Sequence, residues 1–187
     1  MTSTESHPSS WTRLYGVAEA QHGHFTGAQA AEIGVSQQLL QKHLHAGRLH
    51  RVRHGIYRLV HFPPMDHEEL VVLWLWSTKA CVFSHETALL LHDLSDALPS
   101  WVHLTLPSSW KRRRLRVPDH TLLAYDDVPT RDRGWMGAVP VTTPARTLFD
   151  CLNAGTPLDL VDEAFHQAER RGLLNAAERA AFQKARE

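Results

Sequence analysis

The residues whose types and spacing could do chemistry lie between Ser36 and Arg58. Ser36, Gln37, Gln38, Gln41, Lys42 and His45 are the polar positions of one helical stretch, and Arg48, Arg51, Arg53 and Arg58 follow directly behind it. A glutamine amide offers a donor and an acceptor side by side, the pair that matches the major-groove edge of adenine. Lysine and serine can take phosphate or base edges, and arginine takes phosphate or enters the minor groove. This chemistry is recognition of double-stranded DNA. The competing reading of the same helix is a solvated face in a protein that binds protein.

The chain carries no comparable set for catalysis. It has no G-x-S-x-G, no phosphate loop and no G-x-G-x-x-G. It shows no spaced Asp and Glu-x-Lys set of the kind a metal-dependent nuclease uses to hold its ion. Asp159, Asp162, Glu163 and Glu169 fall on helices and read as solvated faces. His85-Glu86 is not a zinc-protease motif, because Leu89 stands where the second histidine would be. His43 and His45, two apart on a helix, point about 200° apart and cannot share an ion. His22-x-His24 has no cysteine pair beside it. We therefore expect no enzyme, no metal and no cofactor.

The elements that must position the basic and amide side chains can be read from punctuation. Ser9 or Ser10 caps a first helix to about His22, with Trp11, Leu14, Tyr15 and Val17-Ala18 on its apolar side. Thr26 is an N-cap for a short helix from Gly27 to Ile33, Gly34-Val35 makes a tight turn, and Ser36 caps a second helix that ends near Ala46 with Gly47 behind it. Leu39, Leu40 and Leu44 should face inward. The stretch RLHRVRHGIYRL then alternates apolar with basic residues around His54-Gly55, where a hairpin turn is required. Helix, turn, helix and basic hairpin in this order make a winged helix-turn-helix.

Charge is distributed to match. Residues 1–62 hold six basic residues (Arg13, Lys42, Arg48, Arg51, Arg53, Arg58) against three acids (Glu5, Glu19, Glu32). The whole chain of 187 residues sums to zero, so the remainder carries the compensating negative charge. A basic module joined to a mildly acidic one suits a DNA reader with an effector or partner domain. With 43% hydrophobic residues the chain can build a core. MTSTESHPSS reads as a frayed tail. No apolar run reaches the roughly 18 residues of a membrane span, and the N-terminus lacks a signal-peptide core. Cys81 and Cys151 read as reduced, buried thiols of a cytoplasmic protein.

Pro63-Pro64 can continue neither helix nor ladder, which predicts a winged-helix domain at 9–62 and a second domain at 65–187. In the second domain Asp66 caps a helix to Lys79 and Ser84 caps another through His92. Trp101–Leu106, Lys111–Val117, Thr121–Tyr125 and Gly137–Thr142 are strand candidates. Thr143 caps a helix that starts at Pro144 and ends near Leu152. Leu158–Arg171 and Asn175 onward are helices. The expected class is α+β: a winged helix-turn-helix followed by a mixed α/β domain with a small sheet. The run Lys111, Arg112, Arg113, Arg114 and Arg116 reads either as a second contact for nucleic acid or a partner, or as a solvated edge strand protected from pairing by its charge.

Three segments together resemble the antitoxin family of the AbiE abortive-infection systems, the AbiEi-type antitoxins of type IV toxin–antitoxin pairs. They are Phe25–Leu59 with GRLHRVRHGIYRL, SHETALLLHDL at Ser84–Leu94, and VTTPARTLFD at Val141–Asp150. The resemblance implies an N-terminal domain that binds its own operator and represses its own operon. It also implies a C-terminal domain that neutralises a nucleotidyltransferase-like toxin without a stable complex being required. DNA contact would fall on Ser36–His45 and Arg48–Arg58. For the third segment we favour a structural role, with Thr143 capping, Leu148 packing and Arg146 pairing with an acid such as Asp150. The part after Gly155 is short for a full antitoxin domain. Similar middle segments also precede nuclease-like domains of the very-short-patch-repair type. The alternative is thus an orphan regulator or protein-interaction module without catalysis.

Overall fold

The structure is a computed structural model and describes residues 9–96 and 99–186. The first eight residues of the expected tail lie outside the described residues. Two compact units are present, residues 1–79 and 80–187, in an α+β architecture.

The first unit contains α1 (Ser10–Glu19), β1 (His24–Thr26), α2 (Gly27–Glu32), α3 (Gln37–His45), β2 (Leu49–Arg53), β3 (Ile56–Leu59) and α4 (Glu68–Trp76). Its sheet has the order β1-β3-β2, with both pairings antiparallel. The caps follow local chemistry. The Ser9 hydroxyl accepts from the Thr12 amide. Thr26 and Gln29 form a reciprocal capping box. The Ser36 Oγ accepts from the Leu39 amide at 3.2 Å. The core is Leu14, Ala18, Phe25, Ala30, Val35, Leu40, Leu49, Tyr57 and Leu59, with Leu39 and Leu44 packed at its margin.

α4 differs from expectation. It begins at Glu68 rather than behind Asp66, with His67 in left-handed backbone (φ 59°) and no side-chain cap. Its start is fixed instead by Glu68, whose carboxylate accepts from the Met65 amide and from Arg58. Because α4 packs on β1 and β3, the first compact unit runs on past Pro63-Pro64 to Lys79.

The second unit contains β4 (Val82–Phe83), α5 (His85–Leu91), β5 (Val102–Leu106), β6 (Thr121–Tyr125), β7 (Arg133–Met136), β8 (Val139–Thr142), α6 (Pro144–Ala154), α7 (Leu158–Arg170) and α8 (Ala176–Arg186). The mixed sheet has the order β6-β5-β4-β8-β7. Leu89, Leu148, Cys151, Val161, Phe165 and Phe182 lie at the centre of the helical core. Cys81 and Cys151 are free and buried, and burial pushes the Cys151 thiol up to about 12.

The strand expected at Lys111–Val117 is corrected. β5 and β6 are parallel neighbours, paired from Val102↔Thr121 to Leu106↔Tyr125. The chain between them must travel back along the sheet instead of adding a strand. It does so through a single 3-10 turn at Ser108–Trp110 and an irregular, exposed run. Among the described residues no helix is long and apolar enough to cross a membrane.

Candidate nucleic-acid interface

On α3, Gln38, Lys42 and His45 are exposed and fall at i, i+4 and i+7, so they form one stripe. Gln37 is exposed beside that stripe and Gln41 is half-buried at its edge. The opposite face holds Leu40 and His43 in the interior. His43 stacks on Trp11 with ring centroids 4.1 Å apart. Burial, then the neighbouring Arg48 and Lys42, hold its pKa below the ordinary histidine value. His43 is therefore a neutral packing residue, whereas His45 faces solvent. Ser36 spends its hydroxyl on the helix cap, so its contribution to the face is to set where the helix begins.

The hairpin of β2 and β3 turns at His54-Gly55, with Gly55 at φ 72°. A left-handed residue at this turn is readily supplied by glycine. The Gly55 carbonyl accepts from the Gly27 amide at 2.9 Å, which ties the wing tip to the first turn of α2. The register slips between Arg51 and Arg53, a bulge that leaves Val52 42% exposed. Arg51 is exposed, and its guanidinium donates to His54 Nδ1 at 2.7 Å, which orients it at the tip. Arg48 is exposed just beyond α3, and Arg53 is half-buried.

Arg58 departs from the expectation that it clamps phosphate. Its Nε and Nη2 donate to the two Glu68 oxygens at 2.9 and 2.7 Å, and Nη1 and Nη2 donate to the Leu59 and Phe62 carbonyls. Only 15% of its side chain is exposed. Its charge is neutralised inside the unit, and Arg58 acts as a brace between β3 and α4. Sequence reasoning missed this because Glu68 lies beyond the Pro-Pro break. It also missed Arg13, whose guanidinium donates to the Ile33 carbonyl at 2.8 Å and holds α1 against the turn before α3.

In the second unit the two remaining family-like segments meet. His92 Nε2 bonds the Thr142 carbonyl at 2.7 Å, and the Thr142 and Thr147 hydroxyls lie 2.7 Å apart. Arg146 pairs with Asp150 at 2.6 Å, as its spacing predicts, and also with Asp126, twenty positions away and outside any local pattern. The two acids respond differently. Burial dominates at Asp150 and raises its pKa, whereas the Arg146 hydrogen bond dominates at the more open Asp126 and lowers it. Arg146, Asp126 and Asp150 line a shallow pocket with His85, whose pKa burial lowers to about 4. Lys111, Arg112, Arg113, Arg114 and Arg116 are all exposed, and the Arg113 guanidinium lies 4.1 Å from the centre of the Trp110 ring.

Strand order, capped helices and a basic hairpin define the first unit as a winged helix-turn-helix. Residues 13–60 match the sequence model of a family described as transcriptional regulator, AbiEi antitoxin. Over that region the chain is similar to the regulators of AbiEi antitoxin type, a regulatory family rather than a catalytic one. No curated protein matches the chain. Among solved structures it is similar to the RV2827C protein from Mycobacterium tuberculosis, with 14% identity, 97% of this chain and 83% of that chain covered, and a TM-score of 0.44.

Proposed function

We propose that the protein is a sequence-specific DNA-binding autorepressor acting as the antitoxin of an AbiE-like pair. The reader is the winged-helix module at 9–62, to which α4 is fastened, and the second unit, from residue 80 onward, is the antitoxin-like domain. The observation that carries this reading is the exposed stripe of α3 beside the basic hairpin. Gln37, Gln38, Gln41, Lys42 and His45 meet base edges in the major groove, and Arg48, Arg51 and Arg53 hold phosphate. Arg58 is left out because Glu68 occupies it. The partners are the operator upstream of its own gene and a nucleotidyltransferase-like toxin, met in the cytoplasm and without a stable complex being required.

Fluorescence anisotropy with DNA from upstream of the gene, against a scrambled duplex and across a salt series, tests the reader. Selectivity of at least about 10³-fold supports it. Equal binding that vanishes with salt is non-specific electrostatics and ends the repressor reading. Co-expression with a neighbouring toxin-like gene tests the antitoxin part. Rescue of growth supports it, and selective DNA binding without rescue leaves the orphan regulator.

A further inference from the structure

The first unit contains a pocket that shares only Arg48 with the DNA reading. It is lined by Trp11 and Tyr15 of α1, by Leu59, His61 and Phe62 at the end of the wing, and by Arg48 just beyond α3. Its volume is about 290 Å³, at the small end of the usual range for ligand pockets.

The walls are built in advance. Trp11 is backed by the ring of His43, and Tyr15 and Phe62 face each other with centroids 6.5 Å apart. Phe62 lies so close to Gly23 that a Cβ there would come within 2.6 Å of the phenyl ring. Gly23 also has φ +82°, so a glycine at this position serves both the turn and the seat of Phe62. Four of the six lining side chains are aromatic or aliphatic.

Among the described residues the lining holds one guanidinium, Arg48, with the His61 imidazole beside it and no carboxylate. Unlike Arg58, Arg48 makes no side-chain ion pair or hydrogen bond among the described residues. An unneutralised guanidinium beside aromatic walls repels an organic cation and pairs more strongly with an anion than with a neutral acceptor. It fits a flat ring carrying an anion, the ring stacking on Trp11 and Tyr15 and the anion pairing with the guanidinium in bidentate fashion.

We propose that this pocket binds a small planar aromatic carboxylate, and that the bound acid weakens DNA binding. The second half rests on the DNA-binding reading above. The acid takes Arg48 away from phosphate, and it seats against Trp11, the ring that packs on His43 of α3. The protein would then be a repressor released by a small aromatic acid.

The test uses the full chain and three probes, 2-naphthoate, 2-naphthamide and acetate, with titration calorimetry and amide chemical shifts. The expected result is saturable binding of 2-naphthoate, with shifts centred on residues 11–15, 48 and 59–62. The amide should bind at least about tenfold more weakly and acetate not measurably. Arg48→Gln should abolish the preference for the acid. Tyr15→Ala should weaken acid and amide alike. Equal affinity for acid and amide, or shifts centred elsewhere, overturns the pocket assignment. These readouts need no DNA, so they stand apart from the repressor reading. With selective DNA binding in hand, saturating 2-naphthoate should reduce affinity for the upstream duplex and leave that of Arg48→Gln unchanged. Unaltered affinity in the wild-type protein overturns the proposed coupling.

Discussion

The guanidinium of Arg58 grips the carboxylate of Glu68 at 2.7 Å, binding the inner strand of the wing to a helix that begins beyond two prolines. One residue pair thereby explains two features. It takes a basic residue out of the proposed DNA contacts, and it fastens α4 to the first compact unit. Removing either partner leaves a half-buried charge without its mate. Arg58→Ala and Glu68→Gln should each cost about 1.5–3 kcal/mol in denaturant unfolding. The double variant should cost much less than the sum. Neither should change the salt slope of DNA binding, and a slope that falls by a full unit in Arg58→Ala would return Arg58 to the phosphate contacts.

The exposed stripe and the wing make separable contributions. Gln38→Ala should cost about 1–3 kcal/mol on the preferred duplex and reduce discrimination, because an amide-to-base pair carries sequence information. Arg51→Ala should weaken binding to every duplex and flatten the salt slope by about one unit. Anisotropy across salt and sequence separates the two. If Arg51→Ala leaves affinity and slope untouched, the wing does not meet phosphate.

Five histidines, His24, His43, His85, His92 and His103, have pKa values held below the ordinary value, in each case chiefly by burial. The unfolded chain, with histidines near about 6.5, takes up protons before the folded chain does. Stability is therefore full above about pH 6.5 and falls as the pH drops through that value. For His85 the loss continues down to its folded pKa of about 4 and then levels. Thermal unfolding at pH 7.5, 6 and 5 should show a progressive fall in midpoint. His85→Gln should fall less over the same range, and an identical fall would mean that His85 contributes nothing to the pH dependence.

Within the basic run, Arg113 packs over the Trp110 ring and three other arginines stand free of the fold. Arg112, Arg114 and Arg116 are exposed and make no side-chain pairs among the described residues. Replacing all three with glutamine should leave unfolding free energy within about 0.5 kcal/mol of the parent. The same triple variant tests one function of the run: a lower salt slope in DNA binding makes it a second nucleic-acid contact, and an unchanged one leaves a partner contact or a solvated crossover.

At the other end of the chain, Phe182 of α8 is 1% exposed and stacks on Phe165 at 4.9 Å between ring centroids. Phe182→Ala should cost about 3–5 kcal/mol, through lost burial and the cavity left behind. A loss below about 1 kcal/mol would mean that α8 is not part of the cooperative core.

The winged helix was legible in the sequence because its signals are local. Thr26, Ser36 and Gly47 punctuate helices within a few residues of the groups they cap, and His54-Gly55 sets its turn from its own backbone. The helix cap at Thr143, a first cap at Ser9 or Ser10, and the pairing of Arg146 with Asp150 one turn away were legible for the same reason, and the structure chose Ser9. The sequence also determined which face of α3 is polar, since periodicity separates Gln38, Lys42 and His45 from Leu40, whereas the burial of His43 against Trp11 came from the tertiary structure. Partnership at long range was decided only by the tertiary structure. Which arginines stay open depends on whether an acid arrives from another element. Glu68 reaches Arg58 across the Pro-Pro break, and among the described residues no acid reaches Arg48. The strand expected at Lys111–Val117 failed because whether a segment pairs or returns depends on the direction of its neighbours, and β5 and β6 run parallel. Local chemistry fixes caps, turns and helix faces through bonds a few residues long. Open charges, pockets and strand neighbours are set by segments whose separation along the chain carries no such signal.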